Sequence, residues 1–438
     1  MSRKILTIAL LVILPFFVSA CTVQDLPVIG KLFGGGAPSS SPVTLSMWGL
    51  WESPEVFDAV VAKYKETHPN VTINYDDRSI VKPTQYKDTV ATRLSQGGVP
   101  DIVVVHNSWV PGIKSLLSTM PANLMDATAY SSKFYPVAVK SAVIDGKIYA
   151  IPAYYDGLVL VYNKKHFEEI EQATPPTAWE EFRRLALTLT KKDEKGTIIR
   201  AGAAIGTADN VDFFSDILGL MFAQAGVQFP SGLDTSKAQD AFSYYMMFSV
   251  ADGVWNASMP EASTAFAQEK VSMIFVPSWN LLDIIRARPD LDIGVAPVPQ
   301  ALPESPVSWG SFWMYTVPDK SPNKAAAWEF INYLATDEAQ LLMFSKASQY
   351  RTYGAPYSRT SLAQQVTLGP GSKYLKSLLD VAPNAVTTEL AGRAGNALQV
   401  NALKEAIDSQ FIVQEEKRPT PADALKTAKE TILKPAKQ

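Results

Sequence analysis

The pattern of hydrophobic and polar residues after residue 42 predicts alternating strands and helices. The stretch VTLSMW, residues 43–48, alternates apolar and polar positions as a half-buried strand does. Ser53 and Pro54 are residue types preferred at the N-cap and first position of a helix. The apolar residues that follow recur at helical spacing and predict one buried face: Val56, Phe57, Val60, Val61 and Tyr64.

The same alternation continues along the next segments. Residues 68–75, HPNVTINY, predict a second strand, and residues 86–96 predict a second helix that ends at Gly97 and Gly98. The run PDIVVV at 100–105 ends in four consecutive apolar residues, which is typical of a strand buried in a parallel sheet. Strands and helices that alternate in this way predict an α/β fold.

Length and composition limit the class of protein. A chain of 438 residues is longer than one hydrophobic core usually organises, so two domains or lobes are expected. Hydrophobic residues make up 47% of the chain and charged residues 19%, as in a globular protein. The formal charge is −3, with 40 basic and 43 acidic residues. Because there is no basic surplus, nucleic acid is not an expected partner.

The N-terminus has the features of a lipoprotein signal peptide. Arg3 and Lys4 carry positive charge, and residues 5–18 form an almost entirely apolar run that is shorter than a typical membrane span. Cys21 is the only cysteine, and VSAC resembles the lipobox in which the cysteine is acylated and becomes the new N-terminus. An ordinary cleaved signal with an incidental cysteine is the alternative. We therefore predict a lipoprotein signal peptide at 1–20 and lipidation of Cys21.

Residues 21–42 comprise the lipidated cysteine and a flexible linker. Glycines at 34–36 and serines at 39–41 favour a disordered coil, and a coil of this length reaches about 25 Å root-mean-square. The linker therefore suits a folded domain that is held near a membrane and can reorient.

Six segments of the chain are informative because of their order. They are VTLSMWGLWE…FDAVVAKYKETHPNVTINY, YKDTVATRLSQGGVPDIVVV, DGKIYAIPAYYDGLVLVYNKK, PPTAWEEFRRLA, AFAQEKVSMIFVPSWNL and NKAAAWEFINYLATDEAQ. Together they resemble the extracellular solute-binding proteins of bacterial ABC importers, family 1, the type that includes maltose-binding protein. The third segment, residues 145–165, is the most specific match.

The resemblance implies an α/β, two-lobed periplasmic-binding-protein-like fold of type II, with an interlobe ligand cleft and hinge crossings. The N-terminal lobe is expected to comprise 43–155 plus 299–336. The C-terminal lobe is expected to comprise 157–297 plus 340–438. The chain would then cross between the lobes near residues 156, 298 and 338.

The first crossing provides two candidate ligand-binding residues, Tyr155 and Asp156. The resemblance implies that one of them lies against the ligand, and pockets in α/β proteins do favour lobe interfaces. A buried carboxylate needs hydrogen-bond donors, and the hydroxyls of a sugar would supply them. The alternative is that Tyr154 and Tyr155 pack at the hinge while Asp156 caps a backbone.

Two loops that follow predicted parallel strands are expected to face the same cleft. The first loop, GLWE, contributes Trp51 and Glu52, and the second, HNSW, contributes Asn107 and Trp109. His106 opens the second loop without an HxH or HExxH motif, so we expect a hydrogen-bonding role for it. We predict no metal and no cofactor.

Aromatic residues are the main chemical indication of the ligand, because their faces suit the apolar C–H faces of sugars. Trp279 follows VSMIFVPS, where the resemblance implies a sugar-stacking aromatic. Trp309 and Trp313 bracket GSF before the predicted strand MYTV and belong either to the cleft or to the core. Further candidates come from a second-lobe loop and the third crossing: Asp212, Phe213 and Arg351. A solvated loop arginine is the alternative for Arg351.

We therefore expect a receptor, not an enzyme, that captures a carbohydrate, in particular an oligosaccharide, between two lobes and delivers it to an ABC permease. The chain has no G-x-S-x-G motif, no Gly-rich phosphate loop and no cysteine nucleophile beyond the predicted lipidation site. Binding of a polyol or a glycerol phosphate ester is the alternative. More remote ones are a glycoside-acting enzyme that uses Glu52 and Asp156, and a structural lipoprotein or adhesin.

The expected partners are the carbohydrate, the permease subunits and, through the lipid anchor, the membrane. We expect a monomer that is anchored to the cell membrane and faces the extracellular or periplasmic side. No nucleic acid is expected to bind.

Overall fold

A computed structural model describes residues 41–369, 371–393 and 395–434. The predicted signal peptide, Cys21 and most of the linker lie outside these residues. The strands are β1 (Val43–Gly49), β2 (Val71–Asp77), β3 (Ile102–His106), β4 (Val143–Ile144), β5 (Lys147–Ile148), β6 (Ile151–Pro152), β7 (Leu158–Asn163), β8 (Lys191–Lys192), β9 (Ile198–Ala203), β10 (Val271–Pro277), β11 (Ile293–Ala296), β12 (Ser308–Trp309), β13 (Trp313–Thr316) and β14 (Ala385–Val386).

Helices alternate with these strands along the chain. They are α1 (Pro54–Lys65), α2 (Pro83–Gln96), α3 (Val110–Ile113), α4 (Ala127–Lys133), α5 (Pro136–Ala142), α6 (Lys164–Glu168), α7 (Trp179–Leu189), α8 (Phe214–Gln224), α9 (Ser236–Val250), α10 (Ala262–Ala267), α11 (Ser278–Ala287), α12 (Lys324–Leu334), α13 (Asp337–Ala347), α14 (Ser372–Val381), α15 (Ala397–Ser409) and α16 (Pro421–Leu433). The α/β class predicted from the hydrophobic pattern is confirmed.

The first helix shows how the sequence directs local structure. Pro54 occupies the first turn of α1, and the predicted apolar face is buried at Val56, Phe57, Val60 and Tyr64. Ser53 stands at the N-cap position, but its hydroxyl makes no capping hydrogen bond. Its backbone N–H instead donates to the carboxylate of Glu52 at 3.3 Å. Glu52 is thereby tied to the start of the helix.

The first sheet has the strand order β2-β1-β3-β13-β6. Strand β1 runs parallel to β2 and β3, whereas β13 is antiparallel to β3 and β6. Side chains of β1 alternate between buried and partly exposed, and those of β3 are all buried. The side chains of β3 are more buried because β3 is the central strand of the sheet, between β1 and β13.

The second sheet has the strand order β11-β7-β10-β9-β8. Strand β7 is antiparallel to β10 and β11, and β9 is parallel to β10. Every residue of β10 is buried, as expected for an apolar run in the middle of a sheet. The chain passes from the first sheet to the second between β6 and β7, and returns between β11 and β13.

No helix in the described part of the chain is both long enough and apolar enough to cross a membrane.

Candidate functional site

A cleft of about 830 Å³, part of it open solvent, lies between the two sheets, beside the segments of the chain that pass from one sheet to the other. Its walls come from the turn after β1, the segment between β6 and β7, the first turn of α11 and residues 351–357. Five of the twelve predicted ligand-binding residues line it: Trp51, Glu52, Asp156, Trp279 and Arg351. The other seven lie elsewhere, although two of them support cleft residues directly.

Trp51 and Glu52 enter the cleft from the turn that follows β1. Trp51 is 42% exposed and has a positive φ of 66°, which is uncommon for a residue other than glycine. Its ring packs edge-on against Trp313, with 6.3 Å between the ring centroids. Trp313 is almost fully buried in β13 and does not line the cleft. It therefore supports the exposed indole from behind.

Glu52 forms an ion pair with Arg351 across the cleft wall. The guanidinium donates to the carboxylate at 2.9 Å, and both side chains are largely shielded from solvent. Burial raises the pKa of Glu52, and the charge of Arg351 opposes that rise. Arg351 also donates to the carbonyl of Tyr353 at 3.0 Å, so its position is fixed on two sides. The pair is a charged element in a wall that is otherwise largely aromatic and aliphatic.

Asp156 is buried and accepts hydrogen bonds from its own protein. Its carboxylate receives the backbone N–H of Gly157 at 2.7 Å, of Ser278 at 2.9 Å and of Trp279 at 3.3 Å. The hydroxyl of Ser278 donates a fourth bond at 2.8 Å. Burial nevertheless raises the pKa of Asp156 to about 6. The carboxylate therefore caps the N-terminus of α11, which is the backbone role considered as an alternative, while it also borders the cleft.

Trp279 stands in the first turn of α11 and is 47% exposed. Its inner side packs edge-on against buried Phe213, with 5.6 Å between the ring centroids. The cap supplied by Asp156 and this aromatic support hold the indole in the cleft wall. Trp279 after the second sheet's β10 and Trp51 after the first sheet's β1 are therefore similarly placed, since each half-exposed ring packs against a buried ring.

Tyr155 lies away from the cleft, and its neighbour Tyr154 lines it instead. The ring of Tyr155 is buried against Tyr135 and Phe312, with centroid distances of 4.9 and 5.8 Å. Successive side chains of an extended segment project to opposite sides. Tyr154 and Asp156 consequently share the side that faces the cleft, and Tyr155 takes the hinge-packing position.

The loop after β3 is covered rather than open to the cleft. Asn107 is fully buried; its amide donates to the hydroxyl of Thr387 and its oxygen accepts from the backbone of Phe312, both at 3.2 Å. Trp109 is buried edge-on against Trp313 at 5.3 Å. The segment that provides Thr387 lies nearly 300 residues further along the chain, so local sequence patterns do not reveal this covering.

His106, the last residue of β3, is fully buried. Its ring nitrogens lie 2.8 Å from the Ser108 hydroxyl and 3.2 Å from the Ser311 hydroxyl. Burial lowers the pKa of His106 to about 3, so the imidazole is neutral at physiological pH. No group of three or more potential metal-binding side chains occurs within the described residues.

Two other candidates have structural roles away from the cleft. Trp309 is fully buried, and its indole donates to the carboxylate of Asp216 at 2.9 Å. Asp212 accepts from both the backbone and the hydroxyl of Ser263 at 2.8 Å, at the start of α10. Neither residue lines the cleft.

Several cleft residues were not among the predicted ones. Tyr154, Tyr353 and Tyr357 line the space together with Phe344. The hydroxyl of Tyr353 donates to the carbonyl of Ser278 at 2.6 Å, which links residues 351–357 to α11. A concentration of aromatic residues around SQYRTYGAPY is the signal that would have identified this wall.

Comparison with known proteins identifies the family to which the chain is similar. The family described as bacterial extracellular solute-binding proteins matches residues 49–341. Among curated relatives, the maltotriose-binding protein of Pyrococcus abyssi is 22% identical over 297 residues, which cover 65% of this chain and 60% of that protein. The diacetylchitobiose-binding protein DasA of Streptomyces coelicolor is 24% identical over 62% of this chain and 64% of its own length. The chain thus spans less than two thirds of these relatives.

Solved structures share the fold over most of the chain. A solute-binding protein of Thermotoga lettingae, bound with α-D-tagatose, has a TM-score of 0.67 and 22% identity, and covers 89% of this chain and 98% of its own. The cyclic α-maltosyl-1,6-maltose-binding protein of Arthrobacter globiformis has a TM-score of 0.70 and 17% identity, with coverage of 90% and 98%. The predicted two-lobed periplasmic-binding-protein-like fold of type II is confirmed. With the family matched over 49–341, the chain belongs to the bacterial extracellular solute-binding proteins, a family of binding proteins rather than enzymes.

Proposed function

We propose that this protein captures a carbohydrate in the cleft and delivers it to the permease of an ABC importer. The observation that carries the proposal is the pair of half-exposed tryptophans, Trp51 and Trp279, which line one cleft and closely follow strands of two different sheets. Aromatic faces of this kind stack on the C–H faces of sugar rings. Two relatives are named as a maltotriose-binding and a diacetylchitobiose-binding protein, which favours an oligosaccharide as the ligand.

The charges in the cleft favour a neutral sugar over a phosphate ester. Among the described residues that line the cleft, Arg351 is the only basic side chain, and it is paired with Glu52. Asp156 adds a second carboxylate that is already bonded to α11. A phosphate would have to displace Glu52 from the guanidinium and leave that largely buried carboxylate without its opposite charge, which is costly. A glycerol phosphate ester therefore fits this wall poorly.

We propose that the two sheets belong to two lobes that close on the ligand. The proposed limits are 43–155 plus 299–336 for the N-terminal lobe and 157–297 plus 340–438 for the C-terminal lobe. Helix α13 packs against α1, so we propose one change to these limits: residues 337–347 belong to the N-terminal lobe, and the third crossing lies in the segment 348–357 instead of near 338. Ligand contacts made only in the closed state would then shift the population towards closure.

We further propose that the mature protein is a monomer attached to the outer face of the cell membrane through acylated Cys21. The family is extracellular, in agreement with this location. The lipobox-like VSAC sequence and the flexible linker to residue 42 support the anchor. A tether of this kind would keep the binding domain near the permease.

Thermal shift and isothermal titration calorimetry of a chain starting at Val43 test the proposal. The panel contains maltotriose, diacetylchitobiose, mannobiose, D-tagatose and glycerol 3-phosphate. A ligand at about 100 times its Kd stabilises the folded state by about 2.7 kcal/mol, which is readily measured as a rise in Tm. We expect at least one sugar to raise Tm and glycerol 3-phosphate to leave it unchanged. A shift with the phosphate ester alone would overturn the carbohydrate assignment.

A further inference from the structure

The backbone of Trp51 adopts a conformation that needs support. Its φ of 66° lies in the left-handed region, which a bulky residue rarely occupies. Strained residues of this kind persist where surrounding contacts hold them, and they concentrate at ligand sites. Trp51 is half-exposed in the cleft wall, so the strain coincides with the proposed stacking surface.

The support comes from Ser79, which does not line the cleft. The backbone N–H of Trp51 donates to the Ser79 hydroxyl oxygen at 2.6 Å. That hydroxyl in turn donates to the carboxylate of Asp77, and the Ser79 backbone N–H donates to the same carboxylate at 2.9 Å. With its proton directed to Asp77, the hydroxyl presents a lone pair to Trp51.

Two further hydrogen bonds join the same strand end to the turn. The backbone N–H of Arg78 donates to the carbonyl of Gly49 at 2.9 Å, and the Tyr75 hydroxyl donates to the carbonyl of Glu52 at 2.8 Å. A Cβ on Gly49 would lie 2.1 Å from the Tyr75 ring, so glycine is required for this approach. The turn after β1 is therefore held on both sides of Trp51 by residues 75–79.

We propose that Ser79, oriented by Asp77, is a positioning residue for carbohydrate binding that holds Trp51 in the left-handed conformation facing the cleft. The inference rests on the proposed function, because it assumes that the ligand contacts Trp51. Ser79 acts through the backbone of Trp51 and makes no ligand contact itself. Loss of its hydroxyl should thus affect binding only while the indole is present.

The test uses three serine variants of the chain that starts at Val43, the first residue of the compact unit containing the cleft. Ser79→Ala removes the acceptor of the Trp51 N–H, and Ser79→Thr retains it. Ser258→Ala is a matched control, because Ser258 makes the same two bonds to the side chain of Asn256, at 2.9 and 2.6 Å, outside the cleft lining. Each variant is also made together with Trp51→Ala for binding and with Trp51→Phe for fluorescence.

Maltotriose binding is measured by calorimetry. We expect Ser79→Ala to weaken binding about three- to tenfold, the usual effect of losing one hydrogen bond. Ser79→Thr and Ser258→Ala should bind like the wild type. In the Trp51→Ala background, Ser79→Ala should have no further effect. A loss of affinity of equal size in both backgrounds would overturn the positioning role.

A second measurement needs no ligand. Acrylamide quenching of each protein, compared with its Trp51→Phe counterpart, reports the solvent access of Trp51 alone. We expect Ser79→Ala to change that access and Ser79→Thr to preserve it; unchanged quenching in Ser79→Ala would overturn the inference. If wild-type protein binds no sugar of the panel, the proposed function fails, and quenching still decides whether Ser79 positions Trp51.

Discussion

Replacing Trp279 with alanine should weaken carbohydrate binding strongly. Tryptophan buries up to about 250 Å² when fully enclosed, and Trp279 is 47% exposed, so about 100 Å² of its ring is free for a ligand. At about 25 cal/mol per Å², this area corresponds to about 2.5 kcal/mol of binding free energy. The expected loss of affinity is thus about sixtyfold.

The same replacement should reduce the stability of the protein less than the loss of a core tryptophan. A fully buried Trp→Ala change costs about 3–5 kcal/mol, and the half-buried ring of Trp279 should cost about half as much. Trp255 provides the comparison, because it is fully buried and its indole donates to Thr207 and Asn210. Trp255→Ala should therefore lower the free energy of unfolding more than Trp279→Ala does.

Urea unfolding and calorimetry with the best sugar of the panel separate the two effects. Trp279→Phe retains an aromatic face and should recover most of the affinity lost in Trp279→Ala. The reasoning is refuted if Trp279→Ala, corrected for its folded fraction, binds within threefold of the wild type. A loss of stability as large as that of Trp255→Ala would also contradict it, because the ring would then belong to the core.

Three further predictions concern pH, anchoring and motion. The pKa of Asp156 is raised from the usual 3.8 to about 6, so the folded state binds a proton at this carboxyl more tightly than the unfolded state does. This proton stabilises the folded protein fully below pH about 4, and the stabilisation is lost as pH rises through 6. The free energy of unfolding of the wild type and of Asp156→Asn should therefore be measured between pH 4 and 7. As pH rises, the variant should gain up to roughly 3 kcal/mol relative to the wild type; a difference that does not change with pH would contradict the assignment. Cys21→Ser should appear in the soluble fraction or remain unprocessed, and a membrane-bound variant of mature mass would exclude lipidation. A saturating sugar should reduce the radius of gyration in solution scattering, and an unchanged profile would exclude lobe closure.

Local sequence pattern was sufficient to predict the strands and helices that begin or end near the cleft. The alternation of β1 and the capping signal of α1 locate the turn that contains Trp51 and Glu52. The apolar run of β10 followed by Pro277 and Ser278 likewise locates Trp279 at the start of a helix. These side chains line the cleft because the chain leaves a buried strand just before them, and that transition can be read from a few neighbouring residues.

Long-range contacts decide the positions that local pattern could not predict. Asn107 follows a parallel strand just as Trp51 does, yet its amide is bonded to Thr387 and it is fully buried. Trp309 has small neighbours and lies outside the predicted strand MYTV, yet it belongs to β12, and the distant carboxylate of Asp216 accepts its indole N–H inside the core. The position of a tryptophan next to a predicted strand is thus compatible with the cleft or with the core until its hydrogen-bond partner is known.

Asp156 connects the passing segment to the proposed stacking surface. Its carboxylate accepts the N–H groups of Ser278 and Trp279 at the start of α11, and its own carbonyl accepts the N–H of Ser311 on the returning segment at 2.9 Å. The Tyr353 hydroxyl reaches the same helix start through the carbonyl of Ser278. A ligand that presses on Trp279 therefore acts on a helix end that is bonded to segments passing between the sheets. Under the proposed closure of the lobes, these bonds would connect the stacking contact on Trp279 to the segments that pass between the two sheets.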